Sequence, residues 1–134
     1  MIEIQHELKI HAPRGTIVEA FTNRGALERW HRARVSGNER EWRIEYPDGT
    51  AFRWKVVASN PERISWQCVE GPGQAVGKEA CFTFSDAGND RTLVEFAHSR
   101  WPGAHENYRK CNTRWAILLH QLQQEAETSV VTSR

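Results

Sequence analysis

In the N-terminal part of the chain, apolar residues first recur at every second position, as in a strand, and then at every third or fourth position, as in a helix. Residues 2–11 alternate apolar and polar side chains, which is the pattern of a half-buried β-strand. Pro13 then opens a segment with helical spacing, and proline fits a first helical turn because the N–H that it lacks would be unpaired there anyway. Leu27 and Trp30 stand three positions apart and indicate a second short helix. The sequence therefore predicts one strand followed by two short helices.

The middle of the chain, from about residue 34 to residue 100, alternates apolar and polar side chains between turn residues. Trp42, Trp54 and Trp66 each fall in such a segment, at an interval of twelve residues that begins with Trp30. Together with the first strand, this alternation predicts about six strands, and because their connections are short we expect antiparallel pairing. The five segments are centred on residues 42–46, 52–56, 64–68, 80–85 and 93–98.

The C-terminal segment spaces its apolar residues by three and four, which is the pattern of an amphipathic helix. The apolar residues form a stripe along this helix that is too long to remain exposed to water, so we expect the helix to lie across the concave side of the sheet. We predict an α+β fold in one domain over residues 1–134, with the polar tail 128–134 frayed. The apolar positions are Tyr108, Cys111, Trp115, Leu118, Leu119, Leu122 and Ala126.

Composition restricts the partners of this chain. Eighteen basic and seventeen acidic residues give a net charge of +1, which lacks the basic footprint of a nucleic-acid-binding protein. No apolar run approaches the roughly 20 residues of a membrane-spanning helix. The N-terminus lacks the features of a secretory signal, and three cysteines without a CxxC pair fit a reducing compartment, so we expect a cytoplasmic location.

The sequence contains no motif of nucleophilic or metal catalysis. Neither GxSxG nor HExxH occurs, and the six histidines are scattered without the spacing of metal ligands. We therefore predict no cofactor, no metal site and no catalytic residue of these kinds. Acid–base chemistry on a bound molecule stays open, with His98 or Tyr46 as the group that moves a proton.

The order of the predicted elements and four stretches of sequence carry a resemblance to a known family. The stretches are IHAPRGTIVEAFTNRGALERW (10–30), YPDGTAFRWKVVASNPERISW (46–66), FAHSRWPG and TRWAILLHQL. They resemble the START-related lipid-transfer and polyketide-cyclase superfamily, and in detail its branch named after the activator of heat-shock-protein ATPase. The resemblance implies a helix-grip fold. In such a fold a curved sheet grips the final helix around a pocket, which in various relatives accepts lipids, polyketides or other hydrophobic molecules.

Two residues depart from the pattern of these relatives. His31 stands where many of them have a second tryptophan, and Arg114 precedes Trp115 where a glycine is common. A charged side chain on the gripping helix either alters the mouth of the cavity or projects into solvent. The departures therefore leave the particular ligand open.

Strand alternation and helical spacing place eleven side chains on the inner faces of the sheet and the helix. These side chains either fill the core or line a cavity, and large rings on a curved sheet closed by one helix are hard to pack without a void. His98 could orient a ligand through one hydrogen bond, and Tyr46 and Tyr108 offer hydroxyl groups. The eleven candidates for ligand binding are Trp42, Trp54, Trp66, Phe82, Phe96, His98, Trp101, Trp115, Leu118, Leu119 and Leu122.

These observations favour a protein that binds a hydrophobic small molecule in a cavity between the sheet and the C-terminal helix. Two alternatives stay open: an enzyme of the cyclase or dehydratase type that acts on such a ligand, and a protein-interaction module of the co-chaperone kind. The edges of the predicted sheet also allow a homodimer. We expect no nucleic-acid partner.

Overall fold

A seven-stranded antiparallel sheet and three helices make up the part of the chain that the structure, a computed structural model, describes: residues 2–101, 103 and 106–132, without the side chain of Glu106. Residues 133 and 134 of the predicted tail lie outside this part. In chain order the elements are β1 (Ile2–Ile10), α1 (Arg14–Thr22), α2 (Arg24–His31), β2 (Arg34–Asn38), β3 (Glu41–Glu45), β4 (Ala51–Asn60), β5 (Arg63–Glu70), β6 (Glu79–Gly88), β7 (Arg91–Trp101) and α3 (Glu106–Thr132).

The strands pair in the order β1-β7-β6-β5-β4-β3-β2, each antiparallel to its neighbours. The order confirms the predicted antiparallel sheet, but the described residues form one strand more than the six expected. The additional strand is β2, in which only Val35 is buried, so no alternation shows in the sequence. Gly37 of β2 has a φ of +108°, and a Cβ there would overlap the carbonyl oxygen of Glu41. The close pairing of β2 with β3 therefore requires glycine.

The two short helices meet at Asn23, which ends α1 and begins α2. The Asn23 side chain accepts a hydrogen bond from the N–H of Ala26 at 2.9 Å, which caps α2. Trp30 Nε1 donates to the carbonyl oxygen of Ala20 at 2.8 Å and so ties the second helix to the first. α2 ends at Arg32, whose φ of 53° is left-handed.

Helix α3 lies across the sheet and covers its inner face. The ring centroid of Trp115 is 6.1 Å from that of Trp54 in β4 and 4.5 Å from that of Phe96 in β7. Nearer the C-terminus of the helix, Glu125 forms an ion pair with Arg29 of α2 at 2.9 Å. The predicted helix-grip arrangement is thus confirmed.

The C-terminal end of α3 extends further than predicted. The helix runs to Thr132, so the expectation that the tail frays from residue 128 was wrong for the residues described. Val130 is partly buried and packs against the core. The prediction missed this contact because most of the other residues of the tail are polar. Although α3 has 27 residues, neither it nor another described helix is apolar enough to span a membrane.

Candidate functional site

All eleven side chains predicted as candidates are buried, with exposures of 6% or less. Four of them line a small enclosed void between β4, β7 and α3: Trp54, His98, Trp115 and Leu118. The other seven pack in the surrounding core and do not line this void. These seven are Trp42, Trp66, Phe82, Phe96, Trp101, Leu119 and Leu122.

The void has a volume of about 30 Å³, enough for a water molecule and far below the space that a drug-sized ligand occupies. Most of the predicted aromatic cavity is therefore filled by its own rings. Six further residues complete the wall, and two of them, His31 and Arg114, are the two departures from the family pattern, so the sequence does carry a signal for them. The six are His31, Tyr46, Phe52, Ala75, Cys111 and Arg114.

His98 is held in one tautomer by two indole groups. Its Nδ1 accepts a hydrogen bond from Trp115 Nε1 at 3.1 Å and from Trp101 Nε1 at 3.4 Å. Because indole N–H groups only donate, the proton of the neutral imidazole lies on Nε2. That Nε2 is buried and has no hydrogen-bond partner among the described residues. Burial, assisted by the charge of Lys78, lowers the pKa of His98 to about 4, so at neutral pH the ring presents an unused N–H donor.

His31 forms the second polar position at the void. Its Nδ1 lies 2.7 Å from the hydroxyl oxygen of Tyr46, and its buried Nε2 has no partner in the described part of the chain. Burial, and then the charge of Arg114, lower the pKa of His31 to about 3. Burial also raises the pKa of Tyr46, although Arg114 opposes this. The hydrogen-bonded pair is therefore neutral across the physiological range of pH.

Arg114 forms the outer wall of the void. Its guanidinium carbon lies 4.1 Å from the ring centroid of Tyr46 and 5.0 Å from that of Phe52, which are cation–π distances. The side chain is half-buried, and none of the ion pairs between described side chains includes it. The arginine therefore projects neither fully into solvent nor into the core, but covers two rings at the mouth.

An open groove of about 760 Å³ lies on the other side of Arg114. Four residues, His31, Tyr46, Arg114 and Leu118, line both the groove and the enclosed void, so they form the partition between the two spaces. The remaining lining residues of the groove are Arg32, Pro47, Arg109, Lys110, Thr113, Ile117 and Gln121.

The thiols and metal-ligating side chains give the site no additional chemistry. Among the described residues there is no cluster of three or more His, Cys, Asp or Glu that could hold a metal ion. The three cysteines are free, and burial raises the pKa of Cys68 and of Cys111, so these two thiols are protonated at neutral pH. The site therefore offers a bound molecule ring surface and neutral hydrogen-bonding groups, with a fixed positive charge at the mouth.

The seven-stranded sheet, the long helix across it and the aromatic void between them define a helix-grip protein of the START-related superfamily. Residues 11–127 match the family described as Activator of Hsp90 ATPase homolog 1-like protein, and the chain belongs to that family. The resemblance carried by the sequence motifs is thereby confirmed. No curated protein sequence matches this chain.

Solved structures share the fold over nearly the whole chain. The Aha1 dimer from Colwellia psychrerythraea is 27% identical, with a TM-score of 0.84 over 95% of this chain and 97% of that one. A protein from Mesorhizobium loti is 18% identical, with a TM-score of 0.79 over 95% and 98% of the two chains. DynU16, from the dynemicin biosynthetic locus, is 20% identical with a TM-score of 0.74, and the match covers 95% of this chain but 48% of that one.

Proposed function

We propose that this chain binds a hydrophobic small molecule between the sheet and α3, at the enclosed void and the adjoining groove. The observation that carries the proposal is the pair of buried imidazole nitrogens, Nε2 of His31 and Nε2 of His98, that have no partner among the described residues although both rings line one apolar space. A buried polar group without a partner costs about 1–3 kcal/mol. A ligand that buries apolar surface against the rings and offers a polar atom to either nitrogen would recover that free energy.

Binding requires the void to open, since about 30 Å³ does not admit such a ligand. The groove outside has about 760 Å³, which is within the range of small-molecule sites, and Arg114 stands between the two spaces. The cation–π contacts that hold Arg114 against Tyr46 and Phe52 are worth about 0.5–1 kcal/mol at a partly exposed site. Moving this one side chain is therefore an inexpensive way to join the spaces.

A substitution that fills the void tests the proposal. Cys111 lines the void, and Cys111→Met adds length to an apolar side chain there. The matched control is Cys81→Met, on the outer face of the sheet and outside both spaces. Native mass spectrometry of freshly purified protein should show a co-purifying molecule on the wild type and on the Cys81 variant, but not on the Cys111 variant.

If both cysteine variants carry the molecule equally, the ligand lies elsewhere. Should the wild type carry none, titration with two fluorescent aromatic probes, 1-anilinonaphthalene-8-sulfonate and N-phenyl-1-naphthylamine, takes the place of the native ligand. Absence of binding by both probes would count against the proposed function.

Chemistry on the bound molecule is a second candidate, favoured by the 2.7 Å contact between His31 Nδ1 and the Tyr46 hydroxyl at the void. A cyclase or dehydratase needs a group that moves a proton, and this pair and His98 are the neutral groups in place to do so. Once mass spectrometry identifies the ligand, Tyr46→Phe should abolish its turnover while leaving its affinity within about twofold. Absence of turnover by the wild type would leave binding as the function.

A homodimer is the candidate assembly, because the relative from Colwellia psychrerythraea is an Aha1 dimer. β1 and β2 stand at the two ends of the sheet, and each pairs with one neighbour among the described strands, which leaves two edges at which a second copy could pair. Light scattering after size-exclusion chromatography would give twice the 15.5 kDa chain mass for a dimer.

The family description also makes a chaperone ATPase a candidate partner. The three free thiols fit a reducing compartment such as the cytoplasm. Stimulation of an Hsp90 ATPase by this chain, unaffected by Cys111→Met, would support the co-chaperone alternative over small-molecule binding.

A further inference from the structure

The rim of the groove is strongly basic although the chain as a whole is nearly neutral, with a net charge of +1. None of the residues that line the groove within the described part of the chain is an aspartate or a glutamate. Four of them are lysine or arginine: Arg32, Arg109, Lys110 and Arg114. A concave surface lined by charges of one sign concentrates ligands of the opposite sign.

The floor of the same groove is apolar. Ile117 is 53% exposed there, and the Leu118 side chain and the Tyr46 ring continue the apolar surface to the partition. Cations around an apolar floor are complementary to a molecule that is itself divided into an acidic head and an apolar body. A neutral hydrocarbon would contact the floor alone and would make no use of the charge of Arg114.

Arg114 is placed to contact both parts of such a molecule. Its guanidinium packs over the rings of Tyr46 and Phe52 and hydrogen-bonds with Tyr46. The exposed carboxylate of Asp48 interacts with it electrostatically, but no close ion pair between described side chains includes Arg114. Packing on a ring occupies the flat side of a guanidinium and leaves N–H groups at its edge, which bind a carboxylate, sulfonate or phosphate through parallel hydrogen bonds. Because the side chain is half-buried, water screens such a pair less than it would on the open surface.

We propose that the ligand of this site is an amphipathic anion, whose acidic head pairs with Arg114 while its apolar body lies in the groove and enters the void behind it. The inference rests on the proposed binding function and adds the chemical class of the ligand. It also gives the departure at position 114 a role, since an arginine replaces the glycine common in relatives at the mouth of the site. Carboxylates and phosphate monoesters share this chemistry.

The two fluorescent probes separate the charge from the apolar body. 1-Anilinonaphthalene-8-sulfonate and N-phenyl-1-naphthylamine have the same ring skeleton, and only the first carries an anionic group. We expect the wild type to bind the sulfonate at least about tenfold more tightly, the effect of one charge-assisted hydrogen-bonded pair. In Arg114→Met the sulfonate should lose this advantage, while the neutral probe should keep its affinity within about twofold.

Arg91→Met is the matched control. Arg91 lies at the turn between β6 and β7 and lines neither the groove nor the void, so its removal lowers the net charge by the same amount without touching the site. Both probes should bind this variant as they bind the wild type. Circular dichroism and thermal melting confirm that both variants fold.

The outcomes distinguish this inference from the function on which it rests. Equal affinity of the wild type for the two probes, or an equal loss of both in Arg114→Met, would overturn the anionic ligand and leave small-molecule binding standing. Binding of neither probe would overturn both. Displacement of the bound sulfonate by dodecanoate or by dodecyl phosphate then tells a carboxylate head from a phosphate head. Displacement by dodecan-1-ol at the same concentrations would contradict the requirement for charge.

Discussion

The aromatic core has two ends that are built from similar residues and packed differently. At one end, which we call the closed end, Phe21, Trp30, Trp66 and Phe82 are all 1% exposed or less, and the indole N–H of Trp30 is bonded to a carbonyl oxygen. At the other, the cavity end, Trp54, His98 and Trp115 surround the void with Tyr46 and Arg114 at its mouth. His31 lies where the ends meet, with its ring 3.9 Å from that of Trp30.

The difference shows which part of the core is devoted to stability and which is available for binding. At the closed end the indole N–H of Trp30 has its partner, and none of the four rings lines the void, as in an interior packed for stability. The cavity end keeps two imidazole nitrogens without partners among the described residues. Buried polar groups of this kind lower stability, so two of them beside one void are what we expect of a site whose partner is a ligand. The third such nitrogen among the described residues, Nε2 of His6, lines neither the void nor the groove.

The largest expected effect comes from breaking the closed end. Trp30→Ala should lower the free energy of unfolding by about 3–5 kcal/mol, because it deletes a fully buried indole and leaves a cavity beside Phe21. Urea unfolding measures this loss. The same truncation at the cavity end, Trp54→Ala, removes a ring that already borders a void and should cost less. Equal losses would show that the two ends are packed alike.

A change of pH should lower the stability of the protein through the two histidines that line the void. In the folded state burial holds the pKa of His31 at about 3 and that of His98 at about 4, whereas the ordinary value is 6.5. Between pH 7 and pH 5 the unfolded chain therefore takes up protons that the folded chain does not, and stability falls as pH falls. We expect a loss of about 2–4 kcal/mol over this interval in urea unfolding series.

His31→Phe is the control for that profile. It removes one of the two buried imidazoles, so the loss between pH 7 and pH 5 should be about half that of the wild type. A wild-type profile that is flat over this interval would mean that neither ring is kept from protonation by burial.

Much of the fold could be predicted because the periodicity of apolar residues along a strand or helix follows from which of its faces is buried. Strands such as β3 and β5, with Trp42 and Trp66 on their buried faces, alternate and are visible in the sequence. β2 could not be found this way. It is held by backbone pairing with β3 and buries one valine, so its sequence shows no alternation of apolar and polar residues.

The candidate site was harder to predict than the fold. Hydrophobic periodicity identifies the inner face of a strand or helix, but it does not distinguish a ring that lines a void from one that fills the core. Only four of the eleven candidates line the void. Helical spacing assigns Cys111 to the apolar stripe of α3 and Arg114 to its polar face, but it does not show that both side chains line one void. Their positions follow from the contact of α3 with β4, which is a long-range property of the fold.

A third change should strengthen the cavity end. His31→Phe at pH 7 is expected to raise the free energy of unfolding by about 1 kcal/mol, because it removes a buried nitrogen without a described partner and adds apolar surface. The same variant should bind the probes more weakly, since the polar atom at the partition is lost. Urea unfolding and probe titration give the two numbers. A destabilised variant would show that the contact of His31 with Tyr46 outweighs the unsatisfied nitrogen.

The smallest expected effect is a difference in stability between two arginine variants. Arg29 belongs to an ion pair that stabilises the fold, whereas we place Arg114 at the binding site. Arg29→Met removes the partner of Glu125, a carboxylate on a side chain only 13% exposed, and should cost about 1 kcal/mol. Arg114→Met loses the ring contacts and a hydrogen bond to Tyr46. Because the methionine restores apolar contacts and water can replace the hydrogen bond at this half-buried position, its stability should stay within about 0.5 kcal/mol of the wild type. Thermal melting of the two variants side by side measures the difference. If Arg114→Met loses as much stability as Arg29→Met, Arg114 contributes to the packing of the fold. Its position at the void would then be no evidence for a role in binding.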